Sequence, residues 1–79
     1  MPLRLKREVN PIKNGFRSRA VTLGLAAHGH SPEVADLNLE RTVRQFLAPF
    51  ERGGCLDEAL ASLGAVRDDG EVPVRIEFD

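Results

Sequence analysis

The fold is decided by residues 31–50, which read SPEVADLNLERTVRQFLAPF. Ser31 is a favourable N-cap, Pro32 suits the first helical position, and the acidic Glu33 is stabilised there by the helix dipole. A stripe of residues at helical spacing follows, which is typical of a helix that packs on a core. The stripe comprises Ala35, Leu39, Thr42, Val43, Phe46, Leu47 and Phe50. We therefore predict one long amphipathic helix whose stripe is buried.

The sequence beyond this stripe predicts the end of the first helix and the start of a second. Pro49 should kink or end the first helix near its last turn, and Gly53-Gly54 ends it. A shorter helix is predicted over residues 56–63, with Gly64 at the position after its C-cap. Its apolar residues have helical spacing: Leu56, Ala59, Leu60 and Leu63.

Extended segments precede the helices. The alternation of Leu3, Leu5 and Val9 with charged residues predicts a half-buried strand. Asn10-Pro11 and the hairpin dipeptide Asn14-Gly15 together mark a turn after this strand. A second strand is predicted over residues 17–27, where Gly24 marks a bulge or bend. One face of this second strand carries Val21, Leu23, Leu25 and Ala27.

A last strand is predicted after the helices. Asp69-Gly70 should turn the chain into an alternating segment in which Pro73 indicates a position at a sheet edge. The apolar face of this strand carries Val72, Val74, Ile76 and Phe78. The predicted fold is therefore α+β in the order β-β-α-α-β, with a small antiparallel sheet packed on one long helix and a short second helix.

Length and cysteine content restrict the class of protein. A chain of 79 residues forms one domain, here residues 1–79, and a domain of this size buries only about 60% of its unfolded surface. Pairing with a second copy would add stability, so we expect a homo-oligomer. The single Cys55 cannot form an internal disulfide, which favours a reducing compartment. We find neither a signal peptide nor an apolar run of about 20 residues, so we expect a cytoplasmic protein without membrane contact.

The net charge of −1 conceals an asymmetry between the two ends of the chain. Residues 1–19 carry a net charge of +5, whereas residues 53–79 carry −5. A basic first segment suits nucleic acid. The two ends could instead lie side by side in the fold, or between two copies, and neutralise each other, and we favour this second interpretation. The basic residues are Arg4, Lys6, Arg7, Lys13, Arg17 and Arg19.

Few residues suggest catalysis or metal binding. His28 and His30 would point the same way on an extended chain, but two histidines without a third fixed ligand make a poor zinc site. Cys55 precedes the second helix, and a nucleophilic cysteine would need a histidine beside it, which nothing in the sequence supplies. The acidic residues of the first helix are expected on a solvated flank: Glu33, Asp36, Glu40 and Glu51. We predict no enzyme, no metal and no cofactor.

One face of the long helix points away from the predicted core. At 100° per residue, the side opposite Leu39 carries a small apolar pair rimmed by arginines, a composition that suits a partner surface. The candidate partner-binding residues are Val34, Leu37, Arg41 and Arg44.

About half of the chain, residues 27–64, resembles the HicB-like antitoxin domain. The passage Gly29-His30-Ser31-Pro32-Glu33 is similar to the family's entry into its helix. Residues at matching spacing follow in the helix. Residues 51–64, which end in Leu63-Gly64, are similar to the glycine and short acidic helix with which some relatives continue. The matching helical residues are Ala35, Asn38, Leu39, Val43, Phe46 and Leu47.

This chain departs from the family in three ways. His30 stands where an acidic residue is common, a Pro-Glu-Leu segment is missing before Gly29, and no DNA-binding segment follows. Without the Pro-Glu-Leu segment, the sequence between Phe16 and Gly29 carries no signal for the third strand of the family's sheet. The resemblance implies a sheet with one helical face, related to the RNase H-like core without its catalytic acids, that neutralises a small RNA-cleaving toxin. We therefore expect a non-catalytic protein-binding module, and the alternative is a nucleic-acid binder that uses the basic hairpin.

Overall fold

A computed structural model describes residues 3–65 and 75–79. The elements are β1 (Leu3–Leu5), β2 (Arg7–Ile12), β3 (Gly15–Ala20), β4 (Leu25–Gly29), α1 (Pro32–Arg52), α2 (Leu56–Ser62) and β5 (Ile76–Phe78). Strands β2, β3 and β4 form an antiparallel sheet in that order, and β1 pairs with β5. The prediction of an α+β fold with a small antiparallel sheet, one long helix and a short second helix is confirmed.

The hairpin between β2 and β3 closes over two residues. Ile12 pairs with Gly15, so the loop consists of Lys13 and Asn14, and Asn14 adopts a φ of 69°. Asparagine tolerates this left-handed conformation better than most residues, which explains the reversal predicted here. The turn that Asn10-Pro11 and Asn14-Gly15 mark is confirmed at residues 13–14, but it is shorter than marked, because β2 runs through Asn10 and Pro11.

The extended run predicted over residues 17–27 is two strands. Residues 21–24 form a turn in which the Gly24 amide donates to the Ala20 carbonyl at 3.0 Å and Gly24 has a φ of 69°. The chain then returns antiparallel, with Ala20 opposite Leu25. The predicted number of strands is therefore wrong, since Gly24 marks a full reversal and not a bend.

Strands β1 and β5 bring distant parts of the chain together in parallel. Leu3 lies opposite Ile76, and Leu5 lies opposite Phe78. The Leu3 amide donates to the Arg75 carbonyl at 2.9 Å, and the Asp79 amide donates to the Leu5 carbonyl at 3.0 Å. The predicted last strand is confirmed over Ile76–Phe78, while Val72, Pro73, Val74 and the turn at Asp69-Gly70 lie outside the described residues.

The helices begin where their capping residues predict. The Val34 amide donates to the Ser31 side chain at 3.2 Å, which confirms Ser31 as the N-cap of α1. The helix continues through Pro49 to Arg52, and Gly53 is its C-cap. Helix α2 ends one residue earlier than predicted, at Ser62, and Gly64 follows with a φ of 78°. None of the helices in the described residues is long and apolar enough to cross a membrane.

The core lies between the sheet and one stripe of α1. Ala35, Leu39, Val43 and Leu47 are buried, as predicted. Phe46 and Phe50 are each 37% exposed, and Thr42 is half-buried, so the prediction that these three complete the buried stripe is wrong. One reason is direction, because the three residues lie on the helix row next to the buried one, and Leu47 stays buried although it lies beyond Phe46. Length adds to this. The 21 residues of α1 span about 31 Å, whereas the five residues of β4 span about 17 Å, so the last turns of α1 extend past the sheet.

Candidate functional site

The first turns of α1 lie directly on the backbone of β4. A Cβ atom on Gly29 would come within 2.4 Å of the Ala35 nitrogen and 2.9 Å of the Ala35 Cα. No side chain fits at that distance, so glycine permits the contact. On the outer side of the same strand, the Asn38 side-chain amide donates to the His28 carbonyl at 2.7 Å. These contacts fix the position and rotation of the helix.

A polar cluster ties α1 to the sheet from its other side. Asp36 forms an ion pair with Arg7, and the Ser18 hydroxyl donates to the second Asp36 oxygen at 2.8 Å. Ser18 is fully buried, and Asp36 is half-buried. The prediction that Asp36 lies on a solvated flank is therefore wrong, because β2 and β3 supply partners that lie far from it in sequence. Glu33 and Glu51 are exposed as predicted.

An open groove of about 440 Å³ runs along the flank of α1 that faces β5. Leu37 and Phe78 give it apolar walls, and acidic side chains lie around them. Leu37 is 62% exposed and lies across the groove from the half-buried Phe78. The acidic lining residues are Glu33, Asp36 and Glu40. The groove thus combines apolar walls with three carboxylates, two of which form ion pairs with arginines.

Only Leu37 of the four candidate partner-binding residues lines this groove. Val34 is half-buried, Arg41 is exposed, and Arg44 is half-buried with its guanidinium 3.6 Å from the Glu40 carboxylate. The helical spacing of the acids around Leu37 was visible in the sequence as i, i+3, i+4 and i+7. Phe78 had no such signal, because its place beside α1 depends on the parallel pairing of β1 with β5.

Half of the predicted basic segment is neutralised within the domain. Arg4 forms an ion pair with Glu77 at 3.3 Å, Arg19 with Glu8 at 3.2 Å, and Arg7 with Asp36. The Arg4–Glu77 pair confirms that the two oppositely charged ends lie side by side at β1 and β5. Three basic residues are exposed and form no ion pair with another described residue: Lys6, Lys13 and Arg17.

Cys55 and the two histidines do not come together. Cys55 follows the end of α1 and is exposed, whereas His30 directly precedes the N-cap of that helix. A helix of 21 residues separates them by about 30 Å. The Cys55 sulfur lies 3.6 Å from the Gly53 carbonyl oxygen. Among residues 3–65 and 75–79, no three histidine, cysteine or acidic side chains are grouped as metal ligands.

Comparison of the chain with protein-family models, with curated proteins and with solved structures gives no match. The resemblance to HicB-like domains therefore rests on the motifs between residues 27 and 64 alone.

Proposed function

We propose that this domain is a non-catalytic protein-binding module whose partner docks at the groove beside Leu37. The single observation that carries the proposal is the exposure of Leu37, 62%, on the wall of an open groove next to Phe78. An exposed apolar side chain costs free energy in water and regains it when a partner covers it. Exposed apolar residues rimmed by charged ones are typical of protein-binding surfaces.

The charges around the groove define the kind of partner. Three acids line the groove, of which Asp36 pairs with Arg7 and Glu40 pairs with Arg44. Glu33 is exposed and forms no ion pair with another described residue. A partner with lysine or arginine side chains around an apolar anchor is therefore favoured, because opposite charges raise the association rate and fix the orientation of the bound partner. Arg41 and Arg44, on the neighbouring side of α1, would meet acidic or polar groups of the same partner.

The resemblance to HicB-like domains supplies a specific identity for such a partner. We propose an antitoxin that binds and masks a small, basic, RNA-cleaving toxin in the cytoplasm. The motif from Gly29 to Glu33 at the entry of α1, together with a sheet covered by one long helix on one face, supports this proposal. The exposed Glu33 at the groove supports it further, since an RNA-cleaving protein carries positive charge to hold phosphates.

The test is a capture experiment with matched variants. Tagged wild-type protein should retain a small basic protein from its native extract in near-equal amount, identified by mass. Leu37→Ala combined with Arg41→Ala should reduce the affinity for that protein at least about ten-fold, because an interface anchor and a charged contact are lost together. The control is Gln45→Ala, at an exposed position elsewhere on α1, which should bind as wild type does.

Capture that survives the double variant would remove the groove as the docking site. If the captured protein is confirmed, RNA cleavage by that protein alone and its loss on adding this domain would test the antitoxin proposal directly. Captured protein without RNA cleavage would limit the proposal to a binding module with another kind of partner.

The alternative function is nucleic-acid binding by the outer face of the sheet. The observation in its favour is that Lys6, Lys13 and Arg17 are exposed and without ion pairs to described residues. Binding of this kind falls steeply with salt, and exchanging the three residues for glutamine should abolish it. Three contacts of this type give only weak binding, which is why we place this function second.

A further inference from the structure

Strand β4 ends the three-stranded sheet, so one of its edges faces away from β3. The register determines which residues point outward. The Val21 amide donates to the Lys6 carbonyl, which sets the alternation of hydrogen-bonding residues in β3 and, through it, in β4. Leu25, Ala27 and Gly29 face β3, and Ala26 and His28 therefore present their backbone groups to the outer edge.

One of these outward groups is already occupied, and the others are open. The His28 carbonyl accepts the Asn38 side-chain amide at 2.7 Å. The Ala26 amide and carbonyl form no hydrogen bond with any residue of 3–65 or 75–79. An unpaired donor and acceptor on the same edge residue are a template for another strand.

The two edges of the sheet differ in their protection. On β2, Pro11 lies at the edge away from β3 and has no amide hydrogen, and charged Arg7 lies near the start of that strand. Proline and charge are the means by which proteins block pairing at a sheet edge. Strand β4 reads LAAHG and has no proline, lysine, arginine or acidic residue. Of the two edges of this sheet, the β4 edge is therefore the one that the described residues leave less protected against another strand.

Helix α1 carries an apolar surface beside the same edge. Asn38, Thr42, Phe46 and Phe50 recur every four residues, and so form one row along the helix. The row begins at the β4 edge, where Asn38 contacts His28, and ends in two aromatic rings with centroids 5.7 Å apart. Each ring is 37% exposed. The open strand edge and the uncovered aromatic pair thus belong to one continuous side of the domain.

We infer that a second copy of this chain pairs with β4 along this edge, antiparallel and about a two-fold axis at Ala26. Each Ala26 amide donates to the Ala26 carbonyl of the other copy, so the pair satisfies both open groups at once. The two three-stranded sheets become one sheet of six strands, with both α1 helices side by side on the same face. The row from Asn38 to Phe50 of one helix then lies against that of the other.

Self-complementarity favours a second copy over an unrelated strand. A two-fold axis places identical residues opposite each other, which is unfavourable for charged strands and acceptable for one without formal charge. The small Ala26 and Ala27 side chains leave room for close approach on both faces of the sheet. Covering Phe46 and Phe50 adds apolar burial to a domain that has little of it.

Sedimentation of the purified full chain over a range of concentrations tests the inference. Wild type should dimerise, and Ala26→Pro should weaken dimerisation at least about thirty-fold, because both hydrogen bonds across the axis are lost. The outward Ala26 amide has no partner among residues 3–65 and 75–79, so proline there removes no hydrogen bond that the described part of the fold contains. Ala26→Ser keeps the amide and should dimerise as wild type does.

Two further measurements complete the test. Leu37→Ala should dimerise normally, which separates this interface from the proposed partner groove. If Ala26→Pro does not fold, hydrogen exchange of the Ala26 amide in wild type decides instead, since this amide should be protected in concentrated protein and exchange rapidly in dilute protein. A monomeric wild type, a dimer unaffected by Ala26→Pro, or an Ala26 amide that exchanges freely at all concentrations would each overturn the inference.

Discussion

The two halves of α1 have the same hydrophobic periodicity but are held in different ways. Residues 32–43 lie on the sheet, where Gly29 allows backbone contact and Asp36 and Asn38 form hydrogen bonds to strands on either side. Residues 44–52 extend past the sheet and share the core mainly with α2, through Leu47, Leu56 and Leu60. The first half is therefore fixed by backbone and polar contacts to the strands in addition to apolar packing, whereas the core that the second half shares with α2 is apolar.

The row from Ala35 to Leu47 is buried in both halves, and the exposed aromatic residues lie on the row next to it. Leu39 is fully buried above the sheet, whereas Phe46 and Phe50, two turns and three turns further on, are each 37% exposed. Amphipathic periodicity predicts which side of a helix is apolar, and the extent of the neighbouring sheet decides how much of that side is covered. The uncovered part is available for another chain.

The largest effect should come from the backbone contact of the first half. Gly29→Ala would place a Cβ 2.4 Å from the Ala35 nitrogen, so α1 must move off the sheet, at a cost of about 3 kcal/mol or more. Urea unfolding followed by circular dichroism measures this. Gly24→Ala is the control, since its Cβ meets no atom within 4 Å and only its φ of 69° is strained, at about 1 kcal/mol. Equal costs for the two variants would show that the helix is not in backbone contact with β4.

An intermediate effect should come from the polar cluster. Asp36→Ala leaves the buried Ser18 hydroxyl and the Arg7 guanidinium without their partner, and we expect a loss of about 2 kcal/mol in the free energy of unfolding. The matched change in the second half is Glu51→Ala, which removes an exposed acid near the helix C-terminus and should change stability by less than about 0.5 kcal/mol. Similar values for both would mean that Asp36 contributes no more than a surface acid does.

The smallest effect should come from the aromatic pair. Phe46→Ala in dilute protein should cost about 1 kcal/mol, whereas Leu39→Ala should cost about 3 kcal/mol, because only Leu39 leaves a cavity in a closed core. The comparison uses thermal or urea unfolding at the lowest practical concentration. A cost for Phe46→Ala as large as that for Leu39→Ala would mean that the second half of α1 is as well covered as the first.

Local signals in the sequence predicted much of the fold, and long-range contacts limited the rest. The N-cap at Ser31, the hairpin at Asn14-Gly15 and the glycines after both helices act within a few residues, so their outcome could be read directly. The reversal at residues 21–24 could not be predicted, because the apolar residues alternate through it as they would in one continuous strand. The partners of Asp36 and the position of Phe78 depend on strand pairings that join residues far apart in the chain.

The candidate site shows the same contrast between local signals, which the sequence reveals, and long-range contacts, which it does not. Leu37 was predicted because its place opposite Leu39 follows from helical geometry alone. The groove beside it was not, since its second wall comes from β5. Arg44 was predicted as a partner contact, yet its neighbour within the domain is Glu40, one helical turn away.

The parallel pairing of β1 with β5 has a consequence for how the chain reaches its native state. The meander β2–β4 and the contact of β4 with α1 involve neighbouring segments, so they can form early. Leu3 and Leu5 pair with Ile76 and Phe78 only after a loop of nearly the whole chain has closed, and this closure is the entropically costly step. We therefore expect β1 and β5 to join after the folding barrier has been crossed, with changes at Leu3 or Ile76 raising the unfolding rate and leaving the folding rate almost unaltered.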